Sequence, residues 1–446
     1  MTPKFKRRAA DFYGPSPLPE RKSVTVCVLD VGTAKTSCVI ARLRPLEAPL
    51  ASHARSHAVE VKGFGHYRSQ GLKSGYVIDL DPVEYGIRQS VHQAEKMAGV
   101  TVETVIVSLT CGRIASDTLS ATVALDGHAV SERDIVKVLK VGRDHAIEPG
   151  RSILHAMPIG FALDGDRGIT DPRGMFGAEL GVDMHVVTAD VGPLRNLEKA
   201  INAAHLDVEG YVPSAHASGL AVLSDDEMDL GAVVLDMGAG TTSIGAFYDG
   251  EFVHADAIPV GGHHVTMDLA RGLSTRVEEA ERIKNLHGSA LPSPSDDHDL
   301  LTIPSASSDG QDASHQVLRG AITRIIRPRV EETLEMVRDR LVDSGLLGLA
   351  AKRMVLTGGA SQMTGVMELT RRMISRELRF AKPTGVDGLP EAGTGPAFAA
   401  VAGLLVYPQS VRMLPRDALL SSGPAMLATG TGGYIQRVSE WLRSSL

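Results

Sequence analysis

The chain has 446 residues, enough for two to four domains with a sizeable core. Its formal net charge of −7 argues against nucleic acid as the main partner, because a phosphate backbone calls for a basic face. The cysteines, Cys27, Cys38 and Cys111, form neither a disulfide framework nor a metal-ligand spacing, which points to a reducing cytosol.

Residues 1–22 are basic (Lys4, Lys6, Arg7, Arg8) and then proline-rich (Pro15, Pro17, Pro19). They lack the apolar centre of a signal peptide and read as a disordered tail. No apolar run reaches the roughly 18 residues that a membrane-spanning helix needs. The run from Val24 to Leu29 reads as a buried strand. Asp30 ends it; Gly32, Thr33 and Lys35 make a turn, and residues 36–43 return. Cys27 and Cys38 fall on these two strands as small core residues. Residues 59–64 read as a further strand running into a turn at Gly63-Phe64-Gly65. A helix is expected over 82–97, with Val83, Ile87, Val91 and Ala94 on one face, and then a strand over 102–109.

Ser131 is placed to cap a helix carrying Ile135, Val136, Val138 and Leu139. Residues 150–187 read as short strands and turns around the segment 168–177, and a strand over 184–189 closes them. A helix over 192–204 and an extended piece to Val212 follow. Residues 213–223 form a helix of small residues (Ala215, Ala217, Ser218, Gly219), and 395–405 match it near the other end of the chain. Touching each other, the two would make a hinge between halves; ordinary close helix packing accounts for them equally well.

Residues 231–262 organise the rest. An apolar run, Ala232 to Leu235, stops at Asp236; Gly238, Gly240, Thr241 and Thr242 follow, and Asp249-Gly250 marks a hairpin turn. Glycines let bare backbone N–H groups close on phosphate oxygens, and a carboxylate at a strand end can hold Mg²⁺ directly or through water. The shorter copy around Asp30 repeats this pattern. Two strand–Asp–x–Gly hairpins suggest a duplicated architecture clamping one nucleotide.

Thr275 and Glu278 read as a capping box for a helix ending at His287-Gly288. Residues 289–316 read as a long loop with a short strand near 300–303, followed by a long helix over 317–344. A strand over 354–357 runs into Gly358-Gly359-Ala360 and a helix over 366–377, a second way to bring backbone close to a nucleotide. Residues 408–432 have the composition of a flexible linker. The last stretch, 433–446, puts Tyr434, Ile435, Val438, Trp441 and Leu442 on one helical face, with Arg437 and Arg443 opposite. A helix tethered in that way fits an interfacial membrane anchor, or else a helix docked on its own domain.

In this order the pieces resemble the actin/Hsp70/sugar-kinase superfamily and, within it, the bacterial cell-division family FtsA. The discriminating residues are Gly32-Thr33-Ala34-Lys35, the segment 168–177, Glu281-Arg282-Ile283-Lys284 with His287-Gly288, and the C-terminal helix. The resemblance implies an α/β, actin-like two-lobed ATPase fold with an inserted α+β domain and a C-terminal amphipathic helix. It divides the chain into a tail (1–22), a first lobe (23–83, with returns at 184–218 and 377–407) and an insert (84–183). The second lobe takes 219–258 and 317–376, with an outer subdomain at 259–316; the linker and terminal helix complete the chain.

The resemblance further implies ATP with Mg²⁺ as cofactors. Asp30 and Asp236 would face the metal through water. Gly32, Thr33, Gly238, Gly240, Thr241 and Thr242 would wrap the β- and γ-phosphates, with Lys35 as a further phosphate contact or a surface ion pair. Glu281, Lys284, Gly358 and Gly359 would hold the ribose and adenine, with Gly262 a further nucleotide-binding residue; the alternative for Glu281 and Lys284 is a solvated ion pair on one helix face. Val212 stands where related ATPases carry a catalytic glutamate, so hydrolysis is expected to be very slow. The implied partners are the C-terminal tail of FtsZ, docking on about 259–330, further copies of the chain in a filament, later division proteins through the insert, and lipid through the terminal helix. The implied location is the cytoplasmic face of the inner membrane at the division septum. Alternatives on the same fold are an actin-like ATPase of a secretion or pilus system and a small-molecule kinase. An Hsp70-like chaperone would need a separate substrate domain, and too little chain follows residue 405.

Overall fold

The structure is a computed structural model in which residues 18–19, 22–46, 55–146, 148–294, 296–306 and 314–410 are described. The first lobe begins with β1 (Val24–Val31), β2 (Lys35–Pro45) and β3 (His57–Arg68), then the two-residue pair β4 (Leu72–Lys73) and β5 (Tyr76–Val77), helix α1 (Leu80–Ala98) and β6 (Thr104–Leu109). The insert follows as β7 (Ala115–Ala124), α2 (Glu132–His145), β8 (Arg151–Leu163), β9 (Asp166–Ile169) and β10 (Glu179–Asp190). The chain returns through α3 (Val191–Ala203), β11 (Asp207–Pro213), α4 (Ser214–Val222) and α5 (Asp225–Leu230).

The second lobe holds β12 (Ala232–Met237), β13 (Thr242–Tyr248), β14 (Glu251–Ile258), α6 (Gly262–Gly272), α7 (Val277–His287), β15 (Leu300–Pro304), β16 (Ser314–Leu318), α8 (Arg319–Asp343), α9 (Leu347–Lys352), β17 (Met354–Thr357), α10 (Val366–Met373) and β18 (Leu378–Phe380). Helix α11 (Ala399–Ser410) comes back to the first lobe.

The duplication is complete at the level of topology. One five-stranded sheet runs β11-β6-β1-β2-β3 and the other β18-β17-β12-β13-β14. In each, the strand bearing the aspartate pairs antiparallel with the next strand on one side and parallel with a crossover strand on the other. Asp30 faces Ser37 across its hairpin as Asp236 faces Ser243 across its own. The middles of the central strands are apolar, with Val28 and Leu29 of β1 and Val233, Val234 and Leu235 of β12 fully buried, as strands covered on both faces require. At the tip of the β13–β14 hairpin Asp249 and Gly250 both take positive φ, 54° and 77°, as a two-residue turn with right-handed strands requires.

Several expected elements shift. Gly63 and Gly65 form no turn: β3 runs straight through them, and they are small because α1 lies against the strand. A Cβ at either would sit 2.0 Å from a carbonyl oxygen of α1, that of Ala94 or of Ser90. Residues 150–187 form long strands, thirteen residues in β8, rather than short ones. Helix α7 has Arg276 at its N-cap rather than Thr275, whose hydroxyl donates instead to the Pro304 carbonyl (2.6 Å). The long helix starts at Arg319 because Val317 pairs with Leu301 in the β15–β16 hairpin, and α10 ends at Met373.

Domain limits move with these strands. Helix α1 and strand β6 belong to the first lobe's sheet, so the insert begins after Leu109, not at residue 84, and β10 carries it to Asp190. Strand β18 pairs with β17, which keeps Leu378–Phe380 in the second lobe rather than in the return at 377–407. Helix α11 runs to Ser410 with Tyr407 and Gln409 buried, so residues 408–410 are helix rather than linker. Of the expected N-terminal tail only Leu18, Pro19 and Lys22 are described, and Leu18 packs on the first core. The terminal helix at 433–446 lies outside the described residues.

The insert has its own core, with α2 laid on the sheet β7-β10-β8-β9 through Ile135, Val138 and Leu139. A capping box starts α2: the Asp134 carboxylate accepts from the Ser131 N–H at 2.9 Å. The small-residue helices α4 and α11 do touch. Gly403 of α11 lies so near the backbone of α4 that a Cβ there would be 1.6 Å from the Ala217 carbonyl oxygen.

Candidate functional site

Both aspartate hairpins open onto one cleft of about 450 Å³ between the lobes. The first lobe contributes Asp30, Gly32, Thr33 and Lys35; the second contributes Asp236, Gly238, Gly240 and Thr241. Gly262, Glu281, Lys284, Gly358 and Gly359 line its other end. Every residue expected at the site is there except Thr242. That side chain is fully buried and turned inward, its hydroxyl donating to the Val260 carbonyl at 2.8 Å. Strand alternation explains this: Thr241 and Ser243 reach the cleft, and the residue between them faces the core.

The hairpins leave no room for side chains. A Cβ on Gly240 would stand 2.1 Å from the Thr33 hydroxyl across the cleft, and one on Gly261 would stand 2.5 Å from the Gly238 carbonyl. Gly358 has φ +89°, and a Cβ there would lie 2.3 Å from a carboxylate oxygen of Asp236. Gly240 and Gly358 also line the cleft, and close-packed backbone without Cβ atoms there lets N–H groups approach anionic oxygens.

Charges in the cleft are set against each other. Burial pushes the Asp30 carboxyl above its ordinary pKa, opposed by a hydrogen bond from Ser108 and by Lys35. Burial likewise raises Asp236 to about 6; Ser218 donates to it and Lys35 opposes the rise, while Asp30 adds to it. Lys35 is itself lowered by burial and sustained by both aspartates. Its ammonium donates to the Ala397 carbonyl at 2.6 Å and sits 3.7 Å from the centre of the Phe398 ring. Lys35 is therefore a cleft residue and no surface ion pair. Each aspartate takes a serine hydroxyl on one oxygen, and two half-buried carboxylates so close are short of positive charge. A hydrated Mg²⁺ fits that shortage. Among the described residues no group of three or more His, Cys, Asp and Glu side chains forms a metal-ligand set.

At the far end, Lys284 on α7 donates to Glu281 (2.7 Å), Thr266 (2.9 Å) and the Gly262 carbonyl (3.2 Å). Burial pushes Glu281 up, but Lys284 and hydrogen bonds from Lys284, Thr266 and Asn285 hold it below the ordinary glutamate value. The pair is tied to the start of α6 with Lys284 largely buried, while the Glu281 side chain stays 45% exposed to water. Val212 is fully buried in the core and does not line the cleft; Ser214, two residues on, does.

Sequence reasoning missed Thr110, Ser214, Asn285, Gln362 and Met363, which also line the cleft, and the hydroxyls of Ser108 and Ser218. Asn285 could have been found, four residues after Glu281 on the same helix face. Ser218 carries no such signal, because in a run of small residues it reads only as packing.

Known proteins bear on this architecture in three ways. Residues 233–403 match the family described as cell division protein FtsA, and residues 111–188 match the SHS2 domain inserted in FtsA, which agrees with the insert's limits drawn from the sheet. Cell division protein FtsA of Rhizobium meliloti (strain 1021) is 48% identical over 430 residues, 96% of each chain, and that of Agrobacterium fabrum is 49% identical over the same share. Among solved structures, a type IV pilus biogenesis complex of PilM and PilN superposes with a TM-score of 0.57 at 16% identity, covering 86% of this chain and 98% of its own, a likeness of fold alone. The two-lobed architecture is accordingly actin-like, with an SHS2 insert, and the chain belongs to the FtsA family of cell division proteins.

Proposed function

We propose that the chain binds ATP with Mg²⁺ between its lobes, polymerises on the cytoplasmic face of the inner membrane at the septum, and tethers FtsZ there. The observation that carries nucleotide binding is the paired cleft: two aspartate hairpins, one from each half of a duplicated fold, with their glycines turned to the same cavity. Mg²⁺ would be held, through water, by Asp30 and Asp236, and would neutralise charge on the phosphates. Gly32, Thr33, Lys35, Gly238, Gly240 and Thr241 bind those phosphates, and Gly262, Glu281, Lys284, Gly358 and Gly359 orient the nucleoside.

Neither Val212, buried behind the cleft, nor Ser214, which lines it, supplies a carboxylate to orient water, so turnover falls far below the ordinary enzyme rate of about 10 s⁻¹. Phosphate release from purified protein at that ordinary rate would contradict this.

The FtsZ tail docks on the outer subdomain of the second lobe. Support comes from a groove of about 590 Å³ between the end of α6, the β15–β16 hairpin and α8, lined by Leu273, Val317 and Ile325 with Arg324 and His315. Later division proteins bind the insert, whose tip exposes Met175 and Phe176.

Membrane attachment is assigned to residues 433–446, whose sequence would put Tyr434, Ile435, Val438, Trp441 and Leu442 on one face of an amphipathic helix. One such helix binds lipid weakly, and a filament joins many. Co-sedimentation with anionic liposomes and FtsZ filaments, with and without Mg-ATP, tests the whole proposal. Trp441, the one tryptophan, should shift its emission to the blue with lipid, and Trp441→Glu should abolish sedimentation. Sedimentation of the variant equal to that of the native chain would remove the anchor.

A further inference from the structure

A buried cluster of histidines sits where the insert meets both lobes, and the nucleotide cleft makes no use of it. His155 and His185 come from β8 and β10 of the insert, His216 from α4 and His254 from β14 of the second lobe; none is more than 7% exposed. The His155 ring lies 5.2 Å from that of His185 and 5.1 Å from that of His216. Phe252 of β14 fills the middle, stacked on His216 at 4.2 Å and edge-on to His155 at 5.6 Å and His185 at 5.2 Å. Tyr407 of α11 closes the far side, 5.2 Å from His216. Ser116 of β7 bridges the junction, its hydroxyl 2.7 Å from His185 Nε2 while accepting from the Ala255 N–H of β14 at 3.1 Å.

The surroundings suit neutral rings at His155, His216 and His254; only at His185 does a hydrogen bond, to the Phe252 backbone, favour the charged form, and burial outweighs it. An imidazolium carries two donors, yet His155 has no hydrogen-bond partner at either nitrogen, and Nδ1 of His216 and of His254 has none. Among the described residues the only carboxylate acting on any of the four is Asp256, on His254, and Asp256 also faces Arg340 at 3.6 Å. Burial drives His155 to about 3 and His254 to about 4. It holds His185 and His216 well below the ordinary histidine value, with repulsion from neighbouring rings adding to the effect.

We propose that this cluster is an acid-released latch: with its four rings neutral it holds the insert against the lobes, and mild acidification frees the insert. A base whose pKa is depressed in the packed state contributes its stability in full above the unperturbed value, about 6.5, and loses it as pH falls below. Opening the junction restores that value to each ring it exposes. Between pH 7.5 and 5.5 each exposed ring therefore raises the opening constant by about tenfold.

Hydrogen exchange on the full chain, corrected for the intrinsic rate at each pH, reads this directly. Protection of β10 and β14 should fall by about 10³- to 10⁴-fold from pH 7.5 to 5.5, while α8 stays protected. His155→Phe with His216→Phe should reduce that fall to about 10²-fold, and His92→Gln, on an exposed face of α1, should leave it unchanged. Should the double variant misfold, His155→Phe alone should remove about one factor of ten. A junction whose protection does not depend on pH, or a decline identical in the variants and the native chain, would overturn the latch.

Discussion

Alanine in place of Gly403 is expected to destabilise the chain by about 1–3 kcal/mol, although alanine is the better helix former by nearly 1 kcal/mol. The new Cβ would lie 1.6 Å from the Ala217 carbonyl oxygen and 2.4 Å from its carbon, and no rotamer can relieve contact with a backbone. Helix α4 has to move away from α11. That movement carries Ser214, which lines the cleft, and Ser218, which donates to Asp236. Urea denaturation should show the loss, and nucleotide affinity should fall with it. Gly395→Ala is the matched control, since a Cβ there meets nothing within 4 Å. If Gly403→Ala stabilised the chain, helix propensity would have won, and the close approach of the two helices would have no energetic weight.

Asp236→Asn is expected to act in opposite directions on the free and the nucleotide-bound protein. Burial lifts the Asp236 pKa from 3.8 to about 6, so its ionised form carries a penalty of up to about 3 kcal/mol near neutral pH. The sign follows from the two states. An acid with a raised folded pKa stabilises the fold while protonated, and that contribution is lost as pH rises from 3.8 through about 6. Above this window the variant, with no charge to bury, should be the more stable chain; as pH falls through the window its advantage should disappear. Mg-ATP should reverse the ranking. A ligand at 1,000 times its Kd adds about 4 kcal/mol to a protein that binds it; the variant, short of one metal-facing charge, should gain almost nothing. Thermal melts at pH 7.5 with and without Mg-ATP check both halves. An equal upward shift for both proteins would show that Asp236 takes no part in binding.

Much of this was legible in the sequence because the relevant signals are local. Asp30 and Asp236 each follow an apolar run and precede a glycine, and the chain has little choice but a strand and a tight turn. Asp249-Gly250 names its own hairpin. Elements fixed by distant partners were harder. Gly63 and Gly65 look like turn residues until α1 is seen lying against them, and Val317 fits a helical pattern until Leu301 pairs with it. Thr242 looked equivalent to Thr241, yet alternation along β13 sends one hydroxyl inward and leaves the other in the cleft. The insert's limits were misplaced because β6 and α1 read as well inside the insert as outside; only pairing of β6 with β1 and β11 assigns them. The histidine cluster was invisible, since its members lie far apart in the chain and none sits in a recognisable spacing.

The most direct measurement is a crystal structure of the chain grown with ATP and magnesium. The account predicts a triphosphate held between the Asp30 and Asp236 hairpins, with its base between α7 and the Gly358-Gly359 turn. A cleft free of density at saturating nucleotide, or ATP bound elsewhere, would contradict it.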